Sequence, residues 1–149
     1  MTARTIQDLP TPALLLDLDK VEANVAHMAG RANRLGVQLR PHVKTHKCVE
    51  VGRLQHDHGI NGITVSTLVE AQVFANHGFD DITWAFPVIL SRLDEAKTLA
   101  ARVKLGLVVD APEAAAALER TGFPFRVWLK VDCGYHRAGV DPHSDDAVR

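Results

Sequence analysis

The chain has 149 residues, 46% of them hydrophobic and 23% charged, with a formal net charge of −1. That is the size and composition of about one globular domain, too apolar for intrinsic disorder and without net attraction for nucleic acid or an anionic membrane. No apolar run approaches the roughly 18–20 residues needed to cross a bilayer, and the N-terminus lacks the apolar segment of a signal peptide.

The first apolar run, Ala13–Leu18, predicts a strand leading into an amphipathic helix. Asp19 and Glu22 have capping-box spacing at the start of that helix. Val21, Val25, Met28, Ala32 and Leu35 share one face, and Gly36 supplies the stop. A second strand is predicted over Val37–Lys44 and a third over Gly62–Thr67, where Thr67 and Glu70 have the spacing to open the next helix. The fourth and fifth are Asp81–Phe86 and Val103–Asp110. Asp110 with Glu113 repeats the capping-box spacing, and Pro112 fits a first helical turn. The sixth is Phe125–Asp132. Gly59, Gly78 and Gly122 punctuate the later helix ends, and His56 and His58 near one such end are expected in solvent. LGLVV and VWLKV are almost continuously apolar, as strands covered on both faces are.

From Val37 onward the strand ends recur every 19–24 residues, at Lys44, Thr67, Phe86, Asp110 and Asp132. That is the beat of an α/β fold, either a barrel or an open doubly wound sheet. A complete eight-stranded barrel takes roughly 250 residues. The expected architecture is therefore a partial (β/α)8 TIM-type barrel: about five barrel strands plus a leading strand and helix. The chain reads as truncated, with an open flavodoxin-like sheet as the alternative.

Two segments carry chemistry. In Arg40-Pro-His-Val-Lys-Thr-His-Lys47, Lys44 closes an apolar stretch just before a helix and should project from the carboxyl end of a strand. Barrel enzymes gather their reactive groups at that rim, where a lysine amine can attack a carbonyl. A plain surface lysine is the alternative. In Leu129-Lys-Val-Asp-Cys-Gly-Tyr-His-Arg-Ala-Gly139, glycines allow close backbone approach to a ligand, and Arg137 could fork onto an oxygen anion or simply pair with Asp132 or Asp141. His42 and His46 are four apart but straddle a strand end and a helix start, so they are not expected to form a metal pair. Cys48 and Cys133 form neither a disulfide framework nor a CxxC pair. The setting they suggest is a reducing, cytoplasmic one.

Taken together, these segments resemble the fold-type III pyridoxal-phosphate (PLP) enzymes, the alanine racemase N-terminal barrel superfamily, and within it the D-threonine aldolase / D-serine dehydratase branch. The resemblance begins at Thr11-Pro-Ala-Leu-Leu-Leu-Asp-Leu-Asp19 and continues through Arg40–Lys47, Thr64-Val-Ser-Thr-Leu-Val-Glu-Ala71 and Val131-Asp-Cys-Gly-Tyr-His-Arg-Ala-Gly-Val140. The run Pro41-His-Val-Lys-Thr-His-Lys47 points to this branch, since alanine racemases place an Ala-Asn-Ala-Tyr-Gly-like run after the lysine.

The resemblance implies that residues 1–149 are the N-terminal part of a PLP-binding barrel, with the later strands and a C-terminal β-domain absent. It implies that Lys44 forms the internal aldimine and exchanges protons at the substrate Cα. Arg137 then approaches the cofactor's phenolic oxygen or a substrate anion, and His42 and Tyr135 line the cofactor and substrate side. In the racemases a lysine at the position of Lys130 can be carbamylated to steady that arginine. The implied activity is a PLP-dependent lyase acting on D-amino acids, as an aldolase or a dehydratase. A non-catalytic PLP-homeostasis protein and an alanine racemase-type racemase are the alternatives. The divalent metal of such lyases would be held by C-terminal residues outside this chain. Expected partners are a small D-amino acid and further copies of the chain, with neither nucleic acid nor membrane.

Overall fold

The computed structural model describes residues 5–144. Along them run α1 (Leu18–Arg34), α2 (Val49–Asp57), β1 (Ile63–Val65), α3 (Leu68–Asn76), β2 (Asp81–Pro87), α4 (Leu93–Ala100), β3 (Lys104–Val109), α5 (Pro112–Arg120) and β4 (Arg126–Leu129). Short 3-10 turns occupy Ile6–Asp8, Val43–Thr45 and Leu90–Arg92. The four strands form one parallel sheet in the order β1-β2-β3-β4.

Parallel neighbours need a crossover, which α3, α4 and α5 supply in turn. Side chains alternate across a strand, so each strand offers one set of residues to these helices. Ile63, Val65, Ile82, Trp84, Leu105, Leu107 and Val109 are packed with Leu68 and Phe74 of α3, Leu99 of α4 and Leu118 of α5 in a single cluster. All three crossover helices therefore cover the same face. Sequential strands with helices on one face make a barrel wall, whereas a doubly wound sheet carries helices on both faces and reverses its strand order. The opposite face holds Thr83, Gly106, Arg126 and Trp128. A Cβ on Gly106 would lie 3.0 Å from Trp128 Nε1 and 3.2 Å from Thr83 Oγ1.

Two of the six expected strands are not formed among the described residues. Ala13–Asp17 pairs with nothing, and Leu14, Leu15 and Leu16 are exposed. An apolar run becomes a strand only beside a ladder partner. Over Val37–Lys44 a single bridge joins His42 to Thr64, and the Thr64 amide donates to the Pro41 carbonyl at 2.8 Å. Pro41 has no N–H to return, and the guanidinium of Arg40 takes the neighbouring Ile63 carbonyl at 3.2 Å. Three of the observed strands, β1, β3 and β4, fall within shorter limits than expected, while β2 runs one residue further, to Pro87. Apolar β3 is buried from Leu105 to Val109, but Val127, Trp128 and Leu129 of the edge strand β4 are exposed.

Helix starts differ in a similar way. Asp17, not Asp19, caps α1 by accepting from the Lys20 amide at 3.1 Å. The cap of α5 is Ala111, without a side-chain bond, while Pro112 occupies the first turn as expected. Thr67 does cap α3, accepting from the Glu70 amide at 3.1 Å, but the Glu70 carboxylate turns elsewhere. On α1, Val25, Ala29 and Ala32 are buried and Met28 and Leu35 are exposed, because α1 rests on the small cluster around Ile60 with Leu39 and Leu54 of α2.

At the amino ends of the strands, Asp81 receives Arg40 at 2.7 Å and Arg126 at 2.6 Å. Gly62 lies beneath Arg40, and a Cβ there would meet the guanidinium at 2.5 Å and displace it. This ion triad ties the segment before β1 to β2 and β4, leaving the carboxyl ends to a different set of side chains.

Candidate active site

At the carboxyl ends a cavity of about 430 Å³ is lined by His42, Lys44, Ser66, Ala85, Phe86, Pro87, Lys130, Arg137 and Ala138. Ser66, Ala85, Phe86, Pro87, Lys130, Arg137 and Ala138 come from a strand's downstream end or the segment that follows it, and His42 and Lys44 from the segment bridged to β1. Lys44 and Arg137, far apart in sequence, are brought into one wall, together with His42.

Local folding explains the lysine's placement. Val43 is fully buried and anchors its turn, the His46 and Lys47 amides both donate to the Val43 carbonyl, and exposed Lys44 is turned to the cavity. The His42 ring Nδ1 lies 3.4 Å from the Lys44 amide as a weak cap. Burial and the charge of Lys44 hold the His42 imidazole below its ordinary pKa, against the pull of Glu70, so His42 is neutral at neutral pH. On the facing wall the ladder between β2 and β3 slips, from Trp84 opposite Leu107 to Pro87 opposite Val108. Ala85 and Phe86 are released from pairing and exposed to the cavity, a common use of a bulge at a barrel rim.

The loop carrying Arg137 is organised by Asp132. Its carboxylate accepts from the Gly134 and His136 amides at 3.0 Å each and lies 3.1 Å from His136 Nδ1. The His136 and Gly134 amides hold this carboxyl below its usual range. The loop closes through mutual backbone bonds: Asp132 donates to Val140, and Val140 to Lys130. Gly139 has φ +123°, and a Cβ there would sit 2.6 Å from the Asp132 nitrogen. Asp132 is thus taken by His136 rather than by Arg137.

Tyr135 is not among the cavity's lining residues. It is 79% exposed, with the Arg137 guanidinium carbon 5.5 Å from its ring centroid. His42 and His46 flank the 3-10 turn at its two ends, and His46 Nδ1 accepts from the Cys48 amide. His58 is half-buried rather than in solvent, its Nδ1 2.9 Å from the Leu54 carbonyl. Among the described residues no three His, Cys, Asp or Glu side chains are grouped to hold a metal ion. Ser66, Ala85, Pro87 and Ala138 were not singled out from the sequence, whereas Phe86 was expected at a strand end; the register slip frees Ala85 and Phe86 from pairing.

A one-sided barrel wall with a lysine, an arginine and a histidine at its carboxyl rim defines a class of lysine-bearing (β/α) barrel. Residues 16–149 match the alanine racemase N-terminal domain family. The chain belongs to that family, among the fold-type III PLP enzymes. It is 43% identical over 141 residues to D-threo-3-hydroxyaspartate dehydratase from Delftia sp. (strain HT23), covering 91% of this chain and 37% of that protein. Identity to D-serine dehydratase from Dictyostelium discoideum is 36%, covering 92% and 38%. The crystal structure of D-threonine aldolase from Filomicrobium marinum superposes with a TM-score of 0.89 at 34% identity, over 97% of this chain and 40% of that one. The chain therefore spans a little over a third of the length of these relatives.

Proposed function

We propose that this chain is the lysine-bearing part of a PLP-dependent lyase acting on D-amino acids that carry a β-hydroxyl group. The observation that supports it is the convergence of Lys44, Arg137, His42 and Lys130 on one cavity with no carboxylate in its lining among the described residues. That donor set suits an anionic aromatic aldehyde: one primary amine, further donors for anionic oxygens, and apolar Phe86 and Pro87 against which a ring can lie. The relatives' names fit the same substrate class, since serine, threonine and 3-hydroxyaspartate all bear a hydroxyl at Cβ.

Bound there, PLP supplies an electron sink for a bond broken at the substrate Cα. Lys44 is the residue that would hold it, through its ε-amine. The same Nζ would be the base placed to accept or return a proton at the substrate Cα. The Arg137 guanidinium presents a forked pair of donors to an oxygen anion. Neutral His42 beside Lys44 adds no second positive charge next to the amine. Phe86 and Pro87 give one side of the cavity an apolar surface.

Incubation with PLP, borohydride reduction and peptide mass spectrometry should place the label on Lys44. The Lys44→Ala variant should show only background labelling. Label on another lysine, or undiminished labelling in the variant, would refute the assignment. Ammonia or aldehyde released from D-serine or D-threonine separates a lyase from a carrier that binds PLP without turnover.

A further inference from the structure

Behind the turn that carries Lys44 lies a carboxylate that does not line the cavity. Glu70, in the first turn of α3, is only 9% exposed, and neighbouring Leu68 and Ala71 are fully buried. Burial costs a charged group several kcal/mol unless partners satisfy it. Two partners do. Oε2 accepts from the Ser66 amide at 2.8 Å, and Oε1 lies 3.0 Å from Lys47 Nζ.

The two partners tie α3 to the two segments that carry Ser66 and Lys44. Ser66 lines it directly, and its carbonyl is separately taken by the buried Trp84 indole at 3.1 Å. Both backbone polar groups of Ser66 are thus held by side chains, which fixes the turn and leaves its hydroxyl uncommitted. Lys47 lies three residues beyond Lys44 and has φ +49°, a left-handed conformation that a lysine rarely adopts unaided. Its amide donates to the Val43 carbonyl at 2.8 Å, closing the turn that carries Lys44. The ion pair with Glu70 draws the side chain of this strained residue against α3.

We infer that Glu70 is a positioning residue: acting through Lys47 and the Ser66 amide, it fixes the turn bearing Lys44 against the rim of β1, setting where the ε-amine meets an aldehyde. A cap alone would need neither contact, since Thr67 already caps α3. The inference rests on Lys44 being the cofactor lysine, and the test separates the two ideas.

The measurement is the rate at which PLP becomes borohydride-trappable on Lys44, read by peptide mass spectrometry in the full chain. A displacement of the amine by about 1 Å is enough to slow such a condensation by roughly tenfold or more. Lys47→Met should therefore slow trapping about tenfold with little change in melting temperature, because Lys47 is largely exposed. Lys47→Arg should restore the rate. Glu70→Ala should slow trapping at least as much, and the double variant no further than Glu70→Ala alone. Lys20→Met, in an exposed pair with Asp17 at the start of α1, is the control and should be silent. Should Glu70→Ala fail to fold, the two Lys47 variants still decide the matter. Normal trapping in Lys47→Met, or additive effects in the double variant, would overturn the inference alone. Trapping on a residue other than Lys44 in the unaltered chain would overturn the proposed function and this inference with it.

Discussion

Gly139 is the residue whose replacement should do most damage for its size. It sits at φ +123° with the Asp132 backbone where a Cβ would go, and neither feature yields to a side-chain rotation. Gly139→Ala should cost about 1–3 kcal/mol in urea unfolding and disturb the Arg137 loop it closes. Asp81 makes a different kind of contribution. Burial alone would raise its carboxyl, but Arg40 and Arg126 hold it below the ordinary 3.8. A carboxyl depressed in the folded state stabilises fully above its unfolded value, and that stability is lost as pH falls through the folded one. Stability from this group should be flat from neutrality to about pH 4 and decline below it. In Asp81→Asn the neutral-pH stability should drop and this acid limb should shrink, as equilibrium unfolding across pH would show.

Among the elements, α3 has both its start and its packing resolved in side-chain detail. Thr67→Ala should cost about 1 kcal/mol in thermal or urea unfolding, the usual worth of a lost hydroxyl cap. That cap was legible because its donor lies three residues away in sequence. The Glu70 clamp was not, although the same residue was singled out: its carboxylate is claimed by Lys47 and by a turn outside the helix, and local spacing says nothing of that choice. Strands β2 and β3 were legible from apolar runs bounded by turn residues. The expected strands at Ala13–Leu18 and Val37–Lys44 were not realised as ladders, because pairing depends on a neighbour's amides; beside β1, Pro41 and the Arg40 side chain take those positions. For the site, the motif around Lys44 pointed to the right rim, while the β2 slip that presents Phe86 is a property of two strands together.

For the molecule as a whole, order should be graded across the sheet. β2 and β3 are paired on both sides and supply much of the core, whereas β4 is an edge with exposed apolar side chains and Ala13–Asp17 makes no ladder. Hydrogen exchange should protect the amides of Ile82–Trp84 and Leu105–Val109 most strongly, with faster exchange in Arg126–Leu129 and fastest in Ala13–Asp17. Uniform protection across the sheet would show that its stability is not set by pairing. The indole of Trp84 has an optical corollary. It is buried at 1% exposure behind the Ser66 carbonyl, and the chain's only other tryptophan, Trp128, lies half in water on the opposite face of the sheet. A blue-shifted emitter thus stands next to the rim while a red-shifted one stands apart. Fluorescence quenching confined to the blue component would report a chromophore arriving at Lys44 without any label being attached.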